Sequence, residues 1–174
     1  MTPVPNKQLL AQAVEHFQLE KPCFYRVVRN WLLFAIPMKA LNNEWSFHIA
    51  GDEPDGRYYG VVSSPVLAAN ALGHARTRSR WYVPEGKPAR LVTELSEEAR
   101  FYLDGYITKE QATIEQVFVI ANPVQFLQAH WPLIEGPQPS GAGSSFSNDD
   151  VVASVLPMDL LAAHMKSIDD SQEE

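Results

Sequence analysis

The longest apolar run of the chain is Trp31–Met38, WLLFAIPM. This run constrains the fold more than any other stretch. So short an apolar segment has no alternation that would leave one face wet, and Trp31–Ile36 reads as a buried strand. The run falls far short of the ~20 residues that a membrane span requires, and Pro37 breaks it. Upstream, Cys23–Val28 is rich in β-branched and aromatic residues and reads as another strand, with Arg29-Asn30 as a tight turn between the two. Before it, Asn6–Leu19 repeats Leu9, Leu10, Ala13, Val14 and Phe17 at helical spacing. Asn6 is the expected cap of that helix and Pro22 its stop.

Short elements follow in mixed order. Glu44–Ala50 and Arg57–Val62 flank the turn sequence GDEPDG, which predicts a β-hairpin with Asp52, Glu53 and Asp55 at its solvated tip. Ser64, Pro65 and Gly73 bracket the nearly all-apolar PVLAANAL, which reads as a short buried helix. Arg90–Leu95 reads as a strand. Ser96, followed by Glu97 and Glu98, opens a helix that Gly105 is expected to end. Thr113–Ala121 is the most strand-like segment of the chain, and Asn122-Pro123 starts a helix that runs to His130. This order predicts an α+β fold: a mixed, largely antiparallel sheet with short helices, followed by a flexible linker and a C-terminal helix.

The composition changes at Gly136. GPQPSGAGSSFSN has the Pro, Gly and Ser content of a flexible linker. The expected organisation is a compact domain over residues 1–135, a linker over 136–148 and an acidic tail over 149–174. In the tail, Leu160, Leu161, Met165 and Ile168 fall on one helical stripe after Pro157. Such a stripe suits docking on a partner protein or on the chain's own core. The alternative is a tail with only weak helical tendency, because a stripe this short is marginal alone in water.

Charge supplies the sharpest functional signal. The formal charge is −7, yet His74–Arg90 carries Arg76, Arg78, Arg80, Lys87 and Arg90 against Glu85 alone, a local +4. Within it Arg76, Arg78, Arg80 and Tyr82 recur at every second position, so an extended chain places them on one face. Pro84, Gly86 and Pro88 disfavour a helix just downstream. Arginine forks match phosphates and carboxylates, so the island reads as a dock for an anionic partner. Arg76, Arg78, Arg80, Tyr82, Lys87 and Arg90 are the candidate contacts. The alternatives are a solvated edge strand guarded by positive charge or pairing with the protein's own carboxylates.

Catalytic fingerprints are missing from the sequence. It contains no P-loop, dinucleotide glycine motif, His-Glu-x-x-His, Gly-x-Ser-x-Gly or Cys-x-x-Cys. The single cysteine, Cys23, excludes an intramolecular disulfide and suits a reducing compartment. The five histidines show no zinc spacing. No metal and no cofactor are expected. The N-terminus lacks the layout of a signal peptide, so the expected location is cytoplasmic, with no membrane partner.

One constellation points elsewhere. Arg26 lies on the first strand, Ser63-Ser64 closes a later one and Glu115 opens the last. The order is similar to the layout of ADP-ribosyltransferases of the Arg-Ser-Glu kind. That resemblance implies a dinucleotide, NAD, held by Arg26 and Ser63 or Ser64, with Glu115 orienting the transfer. The family's usual acid or glutamine two residues before the glutamate is replaced by Thr113. The leading expectation is a non-enzymatic binding or adaptor protein. Its basic-aromatic stripe would dock an acidic protein surface or single-stranded nucleic acid, modulated by the acidic tail. The alternative is the transferase using Arg26, Ser63 and Glu115.

Overall fold

One strand, β1 (Tyr25–Met38), runs through the middle of the sheet. The computed structural model describes residues 2–17, 24–54 and 60–136. The expectations placed on Cys23, on Asp55 and on the tail stripe Leu160, Leu161, Met165 and Ile168 lie outside those residues. The two strands expected around Arg29-Asn30 are a single strand, because the backbone bulges there instead of turning. Asn30 has φ 47°, in the left-handed region that asparagine tolerates. The register against the next strand slips between Arg29 and Leu32.

The bulge gives the two halves of β1 different neighbours. Tyr25–Val28 pairs in parallel with β6 (Trp81–Pro84). Leu32–Met38 pairs antiparallel with β2 (Glu44–Asp52), and Phe34-Ala35 also pairs with β7 (Phe118–Val119) on the opposite edge. Outward from these lie β3 (Val61–Val62) beside β2, then β5 (Ala75–Arg76) and β4 (Ala68–Ala69) beyond β6. The order is β3-β2-β1-β6-β5-β4. Among the described residues three helices join this mixed sheet, so the fold is α+β as the sequence predicts.

Both faces of β1 are covered, which is why its sequence does not alternate. Leu32, Phe34, Ile36 and Met38 pack with Ala99, Leu103 and Ile107 of α2 (Glu97–Lys109). Trp31, Leu33 and Ala35 pack with Leu127 of α3 (Pro123–His130) and with Trp131. α1 (Lys7–Phe17) supplies Ala13 to the first layer and Leu10 to the second. A Leu→Ala change on either side of β1 would cost about 2–5 kcal/mol.

Caps and close approaches fix the helices. Asn6 Oδ1 accepts from the Gln8 and Leu9 amides at 3.0 and 3.2 Å. Ser96 Oγ accepts from the Ala99 amide at 3.0 Å and donates to Asp52 Oδ1 at 2.5 Å, tying the start of α2 to the end of β2. Gly60 lies against α2; a Cβ there would sit 2.8 Å from Ala99 Cα. α2 runs through Gly105 to Lys109, since burial of Leu103 and Ile107 outweighs one exposed glycine's ~1 kcal/mol penalty.

Three expected elements are different in kind. PVLAANAL is extended up to Asn70 and then turns, with no helix: the Val66, Leu67 and Ala69 amides donate to the carbonyls of Phe47, Arg76 and Pro132. Neighbouring chain on both sides satisfies that backbone, and Gly73, at φ 80°, closes the turn into β5. Arg90–Leu95 is a loop with one 3-10 turn, Val92–Glu94. Within Thr113–Ala121 only Phe118–Val119 pairs, after a 3-10 turn at Ile114–Gln116 closed by a Thr113–Gln116 capping box.

Candidate docking surface

The basic island is folded back on itself. Ala75–Arg76 and Trp81–Pro84 are the two arms of an antiparallel hairpin, and Thr77–Arg80 is its turn, closed by the Thr77 amide on the Arg80 carbonyl at 3.0 Å. The continuous arginine stripe expected from the sequence is therefore absent. Arg76 and Arg80 are each 2% exposed and Tyr82 is 1% exposed. Arg76 Nη1 donates to the Thr77 carbonyl at 2.6 Å. Arg78, at the turn, keeps partial exposure, with its guanidinium 5.5 Å from the Phe17 ring centre. Alternation fails as a guide because a turn resets which face each residue takes.

The other end of the island remains at the surface. After β6 the chain folds over the β1 bulge and is pinned to it. The Glu85 amide donates to the Val28 carbonyl at 2.8 Å and the Ala89 amide to the Trp31 carbonyl at 2.6 Å. Trp31 Nε1 donates to the Gly86 carbonyl at 3.2 Å, and Asn30 Nδ2 to the Glu94 carbonyl at 3.2 Å. Ala89 plugs into the core beneath. Pro84 and Pro88 restrict the backbone, and Gly86, at φ 76°, makes the bend. Lys87, Arg90 and Leu91 face solvent, Leu91 at 60% exposure. Arg29 borders them and pairs with Glu85 at 2.8 Å. The sequence reading missed Arg29 and Leu91. The Pro-x-Gly-x-Pro spacing next to the two basic residues is the signal that marks such a loop.

The Arg-Ser-Glu constellation is not assembled. Arg26 is buried and pairs with Glu53 at 3.5 Å, their side chains 6% and 1% exposed. Ser63 is fully buried; its Oγ accepts from the Ile49 amide at 2.8 Å and donates to the Ser64 carbonyl at 2.7 Å. Ser64 is buried beside it. Glu115 is exposed, ahead of β7, which pairs with the far half of β1. The stretch of β1 from Arg26 to Ala35 alone is about 30 Å of strand, so the carboxylate and the guanidinium do not share a cleft.

Burial lowers the pKa of two histidines. His48 stacks on Phe34, and its Nδ1 lies 3.0 Å from the Ser63 carbonyl. A carbonyl only accepts, so Nδ1 carries the proton and Nε2 faces the Tyr106 hydroxyl at 3.4 Å. Loss of hydration lowers its pKa to about 4, against weaker raising contributions from the Ser63 and Ser64 backbone. Burial also lowers the pKa of His74, which sits 3.1 Å from Asn70 Nδ2 through its Nδ1. Among the described residues no group of three or more His, Cys, Asp or Glu side chains could hold a metal ion, and no helix is long and apolar enough to cross a membrane. Comparisons with protein-family models, with curated proteins and with solved structures each return no match.

Proposed function

We propose that this is a non-enzymatic binding protein that docks an acidic protein segment on its pinned 85–94 loop. The observation that carries the reading is the rigid presentation of Lys87, Arg90 and Leu91 to solvent by a loop fastened to the central strand. Fixed loops on a rigid scaffold are where binding residues concentrate, and preorganisation reduces the entropy lost on association. A partner suited to it places carboxylates on Lys87 and Arg90 and an aliphatic side chain on Leu91.

The two anionic partner classes are not equally suited. Single-stranded nucleic acid needs aromatic rings beside its basic track. Trp81 and Tyr82, the rings of the island, are buried at 4% and 1% exposure. A chain of net charge −7 is also repelled by a polyphosphate outside its own basic patch. An acidic, partly apolar peptide meets neither obstacle to the same degree.

The test is fluorescence anisotropy with two labelled probes, a peptide of alternating Glu and Leu residues and oligothymidylate. The peptide is expected to bind, with affinity falling as salt rises. Lys87→Glu with Arg90→Glu is expected to weaken it about tenfold or more, ~1.4 kcal/mol. Unchanged affinity in that variant would sink the loop as the dock; tighter binding of oligothymidylate would move the proposal to nucleic acid.

A further inference from the structure

We infer that the apolar cleft along α1 is the seat of the chain's own C-terminal stripe, Leu160, Leu161, Met165 and Ile168. Leu9, Leu41, Trp45, Phe47, Val66 and Trp131 line the cleft. A second hollow, on the Lys7 side of α1, shares Leu10 and Trp131 with it. The first part of α1 therefore stands between two hollows, with an apolar trough along one side. A trough of this kind receives the apolar face of an amphipathic helix through anchors at i, i+3 or i+4, and i+7 or i+8. Leu161, Met165 and Ile168 have that spacing.

The position of the chain's exit selects this occupant over a foreign one. Trp131 closes the cleft floor, with Nε1 donating to the Val66 carbonyl at 3.0 Å. From there the chain runs beside β4, through the Ala69–Leu133 bridge, to Gly136. The cleft wall is thus five residues back from that point, roughly 17 Å at most. Leu160 lies 24 residues beyond Gly136, a tether that spans up to ~80 Å. Docking through it is intramolecular and needs no partner concentration. Charge agrees: Lys7 is exposed and lines the second hollow, and the stripe is flanked by Asp159, Asp169 and Asp170. This inference stands apart from the 85–94 loop and survives its failure.

Trp45 is the reporter. It lines the cleft and is partly exposed, whereas Trp31, Trp81 and Trp131 are at most 4% exposed. Iodide quenching of the full chain is compared with that of Leu160→Glu combined with Leu161→Glu. Increased quenching and a red shift in the tail variant are expected, and neither should appear in a Trp45→Phe background. Equal quenching in the two proteins would overturn the inference. A difference that grows with protein concentration would do so too, by assigning the cleft to another copy's tail. Should the glutamate variant fail to fold, a spin label at Lys166→Cys in a Cys23→Ser background gives the same answer. Broadening of the Trp45 indole resonance is expected, and an unbroadened resonance contradicts the docking.

Discussion

His48 stacks on Phe34, lies beside the tilted Tyr106 ring and commits its Nδ1 proton to the Ser63 carbonyl, fully removed from water. His48 is lowered from 6.5 to about 4, so between those values the unfolded chain binds the proton and the folded chain does not. The stability that His48 contributes is therefore full above about pH 6.5 and is lost as pH falls toward 4; the difference, 6.5 to about 4, is worth about 3 kcal/mol. His74 is shifted in the same direction and adds to the loss over part of the same window. Urea unfolding of His48→Gln is expected to show a markedly smaller drop between neutral pH and pH 4.5 than the natural chain, and equal drops would refute the assignment. The Arg26–Glu53 pair makes a second prediction at this scale. Glu53→Gln removes the carboxylate that faces a buried guanidinium and should cost about 3–5 kcal/mol, whereas joint replacement by Met at 26 and Leu at 53 should cost much less. If the double variant is as unstable as the single one, the pair is not the reason for Glu53's burial.

At the scale of elements, α2 depends on a missing side chain. Gly60 brings the chain leading into β3 within van der Waals reach of the Ala99 and Glu98 backbone. Gly60→Ala must push the helix away and is expected to cost about 1–3 kcal/mol, read as a lower urea midpoint with an unchanged m-value. How much of the fold the sequence discloses follows from which elements are decided locally. The caps at Asn6 and Ser96 and the Asn122-Pro123 helix start depend on neighbours in sequence, and they stand where the residues place them. PVLAANAL and Thr113–Ala121 do not. Their conformation is set by which strands lie alongside, information held in Phe47, Arg76, Pro132 and β1. The candidate surface divides in the same way. Lys87 and Arg90 are exposed because a local Pro-Gly-Pro bend and the bulge they sit on put them there. Arg76, Arg80 and Tyr82 are buried because the hairpin turn at Thr77–Arg80 folds them against β1 and β4, and no alternation pattern encodes that.

Across the whole molecule, the sheet acts as a frame built around the central strand β1. The bulge in β1 separates the parallel half, which pairs with the island hairpin, from the antiparallel half, which carries the core. The 85–94 loop is fastened over that bulge, so its shape is coupled to the central strand of the sheet. Binding there should leave the backbone nearly unchanged. The most direct measurement is amide and side-chain NMR of the full chain titrated with the alternating Glu–Leu peptide. Shifts are expected to be confined to Arg29, to residues 85–94 and to their hydrogen-bonding partners Val28, Asn30 and Trp31. Shifts centred instead on the exposed Phe101 and Tyr102 of α2, or no shifts at all, would contradict the docking proposal.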